Sequence, residues 1–123
     1  MPHVEPDVRA LLTRVYAAFN AHDLETVLAA LHPDVDWANG MDGGRVHGVS
    51  NVRDYWTRQF TLIDPRVDPV GFAIDAAGRI VVRVHQMVRN PAGAVISDGM
   101  VEHIYVIDDG PITRMDIRKG EAS

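Results

Sequence analysis

Residues 101–117 read VEHIYVIDDGPITRMDI. Two runs rich in β-branched and aromatic side chains flank Asp108-Asp109-Gly110, the pattern of an antiparallel hairpin. Such a turn needs a positive φ, which glycine adopts without a side-chain clash. Strands are predicted from Val95 to Ile107, with Gly99 a candidate bulge or bend, and from Ile112 to Lys119. A three-residue turn with Gly110 in the left-handed position pairs Ile107 with Pro111 and sets Met115 opposite His103. Val101, His103, Tyr105, Thr113, Met115 and Ile117 then share one face, while Ile104, Val106 and Met100 share the other. Upstream, Asn90-Pro91-Ala92-Gly93 and Ala76-Ala77-Gly78 are turn signals. They isolate two further strands, Ile80 to Arg89 and Arg66 to Asp75.

The N-terminal half has a different period. Val8, Leu11, Leu12, Val15, Tyr16 and Phe19 recur at three- and four-residue steps, which predicts a helix starting at Pro6 and Asp7. Asp23 is placed to cap a second helix carrying Leu24, Val27, Leu28 and Leu31, ended by Pro33. Val35-Asp36-Trp37 reads as a short strand and Asn39 to Gly44 as a loop. Ser50 reads as the cap of a third helix, from about Asn51 to Phe60, with Val52, Tyr55, Trp56 and Phe60 apolar. Helices first and hairpin-linked strands after predict an α+β fold. Three helices on one face of a curved, mostly antiparallel five-stranded sheet leave a pocket between the layers. Val15, Phe19, Leu28, Leu31, Trp56 and Tyr105 are expected to be buried.

The chain has 123 residues, the size of one domain, so a single domain over 1–123 is expected. With 12 Lys and Arg against 17 Asp and Glu, its net charge is −5, which argues against nucleic acid and anionic membranes as partners. There are no cysteines, hence no disulfide and no thiolate chemistry. The six histidines lack metal spacing, Gly43-Gly44 lacks the spacing of a phosphate loop, and no serine sits in a nucleophile elbow. No metal and no cofactor is therefore expected. The start, Met1 to Asp7, has no basic segment followed by an apolar block, and no run is long enough to span a bilayer. A cytoplasmic protein is expected.

Several local words, in this order and spacing, resemble the nuclear transport factor 2-like superfamily, and its SnoaL-like branch in particular. They are Phe19-Asn20-Ala21-His22-Asp23-Leu24-Glu25, Leu31-His32-Pro33-Asp34-Val35-Asp36-Trp37, His47-Gly48, and Glu102 to Ile112. The resemblance covers nearly the whole chain. It implies a cone-shaped α+β barrel with an apolar pocket. The superfamily includes ketosteroid isomerases, polyketide cyclases, epoxide hydrolases, dehydratases and members that only bind or dimerise. The fold does not choose among these.

The resemblance also implies site positions. In the isomerase and cyclase patterns a polar catalytic residue sits seven positions before the glycine of the last hairpin. Here that residue is His103, a candidate oxyanion donor or proton carrier; a histidine satisfied by a local hydrogen bond is the competing reading. Asn39 falls at the isomerase general base. An amide holds no proton, so Asn39 is a candidate orienting group. The isomerase tyrosine falls near Val15, and Tyr16 is rotated from it by about 100°. The aspartate of the cyclases corresponds to Ile117, while the adjacent Asp116 alternates to the other face.

Trp37, Tyr16, Tyr55 and Tyr105 are candidate binding residues or core, and Met115 with Ile117 a candidate pocket floor. Arg83 and His85 share one face of their strand, and Val82, Val84 and Gln86 the other. Apolar content favours the second set facing inward, which leaves His85 a minor candidate. The chain is thus expected to be a small-molecule pocket protein, either an isomerase-, cyclase- or hydrolase-like enzyme or a non-catalytic ligand-binding or dimerisation domain. An exposed stripe of Ile104, Val106 and Met100 leads to the expectation of a homodimer through the outer sheet face.

Overall fold

The computed structural model of the protein describes residues 4–38, 44–108 and 110–119. Its elements are α1 (Pro6–Asn20), α2 (Leu24–Ala29), β1 (Leu31–Ala38), β2 (Arg45–His47), α3 (Val49–Leu62), β3 (Asp64–Ile74), β4 (Ile80–Arg89), β5 (Val95–Ile107) and β6 (Ile112–Lys119). The six strands form one open sheet in the order β2-β1-β6-β5-β4-β3. β1 runs parallel to β6, and every other pairing is antiparallel. The fold is α+β, with three helices on the concave face of a mixed sheet.

The helices follow from their sequences. Pro6 starts α1, where its fixed φ suits the first turn and its missing N–H loses no bond. Leu12, Val15, Tyr16, Ala18 and Phe19 are buried along one side. Asp23 caps α2 by accepting from the Thr26 amide (3.4 Å) and hydroxyl (2.6 Å). α3 begins earlier than its sequence suggests, with Gly48 and not Ser50 at the cap. Gly48 has φ +84°, a backbone that other residues adopt only with strain, and its N–H donates to Val35 O at 2.7 Å.

Four features of the sheet differ from expectation. Leu31 leaves helix geometry and opens β1, pairing with Ile112 on β6. Pro33 does not block this strand, because the β1–β6 register shifts between Leu31 and Asp36, where a missing N–H disrupts no regular ladder. β2 was not visible as a strand. Its three residues carry no period, and its pairing to β1 adds a sixth strand. The last hairpin sets Tyr105, not His103, opposite Met115, and His103 opposite Ile117. The turn is one residue longer than expected, pairing Ile107 with Ile112, and a bulge between Val106 and Ile107 adds a second residue. The slip is two residues, so the faces are unchanged. Gly99 lies within an unbroken register and makes no bulge.

Val15, Phe19, Leu28, Leu31 and Tyr105 are buried, while Trp56 is half-buried. The outer stripe is less exposed than its sequence suggests. Ile104 is only 6% exposed, flanked across the strands by Val81 and Asp116, and Met100 and Val106 are half-buried. Beside it, Arg45 and Arg114 each bridge both Asp36 and Asp116, tying β2, β1 and β6 together on this face.

The free edge of β3 is held by α1. Asn20 donates from Nδ2 to Val67 O and accepts from the Val67 N–H, both at 2.8 Å. This occupies backbone groups that an edge strand would otherwise leave open. Asn20→Ala is expected to lower the unfolding free energy by about 2 kcal/mol, the worth of two hydrogen bonds. Urea denaturation measures it, and a loss below about 0.5 kcal/mol would show that the clamp is idle.

Candidate functional site

A cavity lies between the helices and the inner sheet face. α1 contributes Val15, Tyr16 and Phe19, α2 Val27, and α3 Trp56; the sheet contributes Trp37, Ala38, Pro65, Val67, Gln86, His103, Tyr105, Met115 and Ile117. The space open to the centre of a water-sized sphere is about 60 Å³. One water needs roughly 10–15 Å³ on that measure, so there is room for a small organic group. None of the described lining residues is charged at neutral pH by its ordinary chemistry, His103 aside.

The strand register builds the polar end. Trp37, Met115 and Tyr105 form one row across β1, β6 and β5, and His103 and Ile117 lie in the next row. Tyr16 descends from α1 onto these rows. Its hydroxyl lies 2.8 Å from His103 Nδ1, and Tyr105 donates to the Tyr16 oxygen at 2.9 Å. The Tyr16 and His103 rings are nearly parallel, 5.8 Å apart. Phe19, Trp56 and Phe60 form an aromatic cluster on the helical side.

Hydrogen-bond counting assigns the protons. Tyr105 spends its proton on Tyr16. Tyr16 must then donate its own, and among the described residues His103 Nδ1 is its only acceptor. A neutral imidazole with an accepting Nδ1 carries its proton on Nε2. Burial pushes the His103 pKa down to about 4, so the ring is neutral at pH 7. Burial also raises Tyr16, reinforced by Tyr105, and raises Tyr105. The three side chains form a neutral relay that ends in an N–H donor. It has no free base.

Trp37, Met115 and Ile117 line the cavity as their parity requires. Tyr16 lines it too, despite its offset from the isomerase position; it lies on the same helix side as Leu12 and Phe19, at spacings of four and three. Asn39 lies outside the described residues. Tyr55 is buried against Trp56, rings 5.0 Å apart, and is not part of the wall. His85 is not in the cavity either. Val82 pairs with His103 and faces in, so the alternating His85 faces out and meets Asp98 at 2.6 Å. Gln86, on the inward parity, is a wall residue that this alternation makes legible. Asp116 is outside, bound by Arg114 and Arg45. Among the described residues no group of three His, Asp or Glu could hold a metal, and no helix is long and apolar enough to cross a membrane.

The SnoaL-like domain family matches residues 12–115. The chain belongs to the SnoaL-like family. No curated protein matches it significantly. Among solved structures, it resembles TerC, co-crystallised with polyporic acid, at 27% identity and a TM-score of 0.76, over 90% of this chain and 89% of that one. A nuclear transport factor 2-like protein of unknown function from Burkholderia pseudomallei K96243 gives 29% identity and a TM-score of 0.77, over 91% and 89%. A putative polyketide cyclase from Sinorhizobium meliloti, at 21% identity and a TM-score of 0.75 over 93% and 95%, shares the fold.

The depressed pKa of His103 has a consequence for stability. Above its ordinary value of 6.5 the ring is neutral in both the folded and the unfolded chain. Between 6.5 and about 4 the unfolded chain takes up a proton that the folded chain refuses, so stability falls as pH is lowered through that window. The full difference is about 3 kcal/mol. His103→Gln is expected to flatten this part of the stability–pH curve, followed by urea denaturation at pH 7, 5.5 and 4. Parallel curves for wild type and variant would contradict a buried neutral ring.

Proposed function

We propose that the chain is a small-molecule enzyme of the isomerase, cyclase or hydrolase type, acting on a largely apolar substrate that bears a carbonyl or hydroxyl group. His103 serves as a neutral donor, presenting Nε2–H to the substrate oxygen where negative charge develops. The hydrogen bond of Tyr16 to Nδ1 carries this reading, because it both fixes the ring and consumes the nitrogen that a base would need. A conjugate acid with a pKa near 4 is a poor proton store at neutral pH, whereas a pre-aimed donor needs no proton transfer to act. The likeness to TerC, crystallised with polyporic acid, supports an organic occupant.

The described wall contains no carboxylate, and this favours a second reading, a non-catalytic ligand-binding domain. The two are separated by assay. Against a β,γ-unsaturated ketosteroid, a polyketide ester and an epoxide, the wild type is expected to turn over one class. His103→Ala should cost roughly 10²–10³-fold in kcat while the circular dichroism spectrum is kept. Tyr16→Phe should cost less and leave KM nearly unchanged. Binding of polyporic acid in the cavity without turnover of any class would put the binding domain first.

The proposal includes a homodimer formed by a second copy on the outer sheet face. That face pairs half-buried Met100 and Val106 with a balanced set of Arg and Asp side chains, which a two-fold axis can match to itself. Sedimentation at micromolar concentration is expected to give a dimer that Val106→Arg dissociates; a wild-type monomer would overturn it.

A further inference from the structure

Gly99 sits in the interior of a long strand without a backbone reason to be glycine. Every other described glycine has one: five hold positive φ, and Gly71 lies at the register shift between β3 and β4. Gly99 has neither a positive φ nor a bulge, since Asp98, Gly99 and Met100 pair regularly with β4. Close approach of another element is not the cause either, because a Cβ built on Gly99 would meet nothing within 4 Å. A glycine inside a strand forfeits side-chain packing and gives up more chain entropy on folding than any other residue. Its place in β5 calls for another cause.

The register puts the vacancy beside the cavity. Gly99 pairs with Gln86, and the row continues to Val67 on β3. Residues paired across an antiparallel ladder point to one face. Gln86 and Val67 line the cavity, so a side chain at position 99 would stand on that face too. β6 pairs with β5 from Val101 onward, and among the described residues no strand flanks Gly99 on that side. Along β5 and β6 the wall opens toward this end. Tyr105 and Met115 are at most 3% exposed, Ile117 in the next row is 37% exposed, and Gly99 itself is exposed. Four residues of β5 separate Gly99 from His103, roughly 13 Å of strand.

We infer that Gly99 is a specificity-determining residue that keeps the cavity open beside Gln86, so that the site accepts an elongated molecule whose apolar tail runs out over residue 99. This deepens the reading above, on which it rests only in taking the cavity as the ligand site. The enclosed space, about 60 Å³ to the centre of a water-sized sphere, holds a head group and little more. A longer molecule must leave it, and the inner face of β5 is lowest where the side chain is missing. Bulk at position 99 would fill this path without touching His103, Tyr16 or Tyr105. Gly99 therefore selects by length and takes no part in the chemistry.

The probes are acetophenone and octanophenone, which share a phenyl ketone head and differ in tail length. The wild type is expected to bind octanophenone roughly 100-fold more tightly, as three or four buried methylenes give at about fourfold each. Gly99→Val and Gly99→Phe should cut that preference roughly tenfold or more and leave acetophenone affinity within about twofold. Both variants should hold or raise the urea midpoint, because the added side chain enters open space and suits a strand. In the wild-type ¹H–¹⁵N spectrum the Gly99 amide should move with octanophenone and stay still with acetophenone. An undiminished tail preference in both variants, or a Gly99 amide unmoved by octanophenone, would overturn the inference. A midpoint lowered in both variants would assign Gly99 to the fold and overturn it as well. Binding of neither probe would remove the ligand site along with it. Should one variant fail to fold, the other and the wild-type spectrum decide. A His103→Ala enzyme with full turnover and an intact tail preference would instead overturn only the catalytic reading.

Discussion

Three helices must cover one face of a six-stranded sheet, and the remaining features of the molecule follow from that shortage. Where α1 and α3 do contact the sheet, the interface is ordinary core: Leu12, Val52, Val82 and Val84 are fully buried. Where they do not reach, a lined space remains against the inner sheet face. The edges show the same economy. Asn20 holds β3 with a single side chain, and the Arg45, Arg114, Asp36 and Asp116 network holds β2 and β1 on the opposite side.

A gap in an apolar layer is a costly place for polar groups, and the sequence places several there. His103, Tyr16 and Tyr105 remain affordable because each satisfies the next and none carries a charge. The direction of the relay is imposed by its far end. Tyr105 has only Tyr16 to donate to among the described residues, Tyr16 then has only Nδ1, and the ring must keep its proton on Nε2. Substituting either phenol would free the imidazole to choose its tautomer. The catalytic proposal therefore depends on two residues that never need to touch a substrate.

Much of this was legible in the sequence. The two apolar periods gave the helix-then-strand order, and alternation from Gly110 put His103, Tyr105, Met115 and Ile117 on one face even though the hairpin register slipped, because a slip of two preserves parity. The same alternation, carried to Val82 and Val84, excludes His85 from the cavity. What the sequence hid was tertiary. Parallel capture of Leu31 by β6 overrode a helical pattern ended by a proline. Three residues of β2 are too few to show a period. Tyr16 looked misplaced by one step of a helix, yet helix rotation is set by packing of the whole apolar side, and Leu12 and Phe19 turned it inward. The outer stripe looked exposed because alternation tells which side a residue faces and says nothing of what the neighbouring strands lay over it.

How the cavity wall is held bears on how such a fold can change. The relay fixes one donor by mutual hydrogen bonding, so that position resists substitution. Elsewhere the wall is held by aromatic packing: Trp56 by Phe19 and Phe60, Trp37 by Tyr105. Replacing either tryptophan with another large apolar side chain would keep much of that packing while reshaping the wall. The helical side of the wall can thus change without disturbing His103, because the contacts that hold Trp56 are separate from the relay. The buried His103 and its two phenol partners cost desolvation in an apolar layer. The rest of the core, continuous from α1 through the inner sheet, must supply the margin that lets them stay.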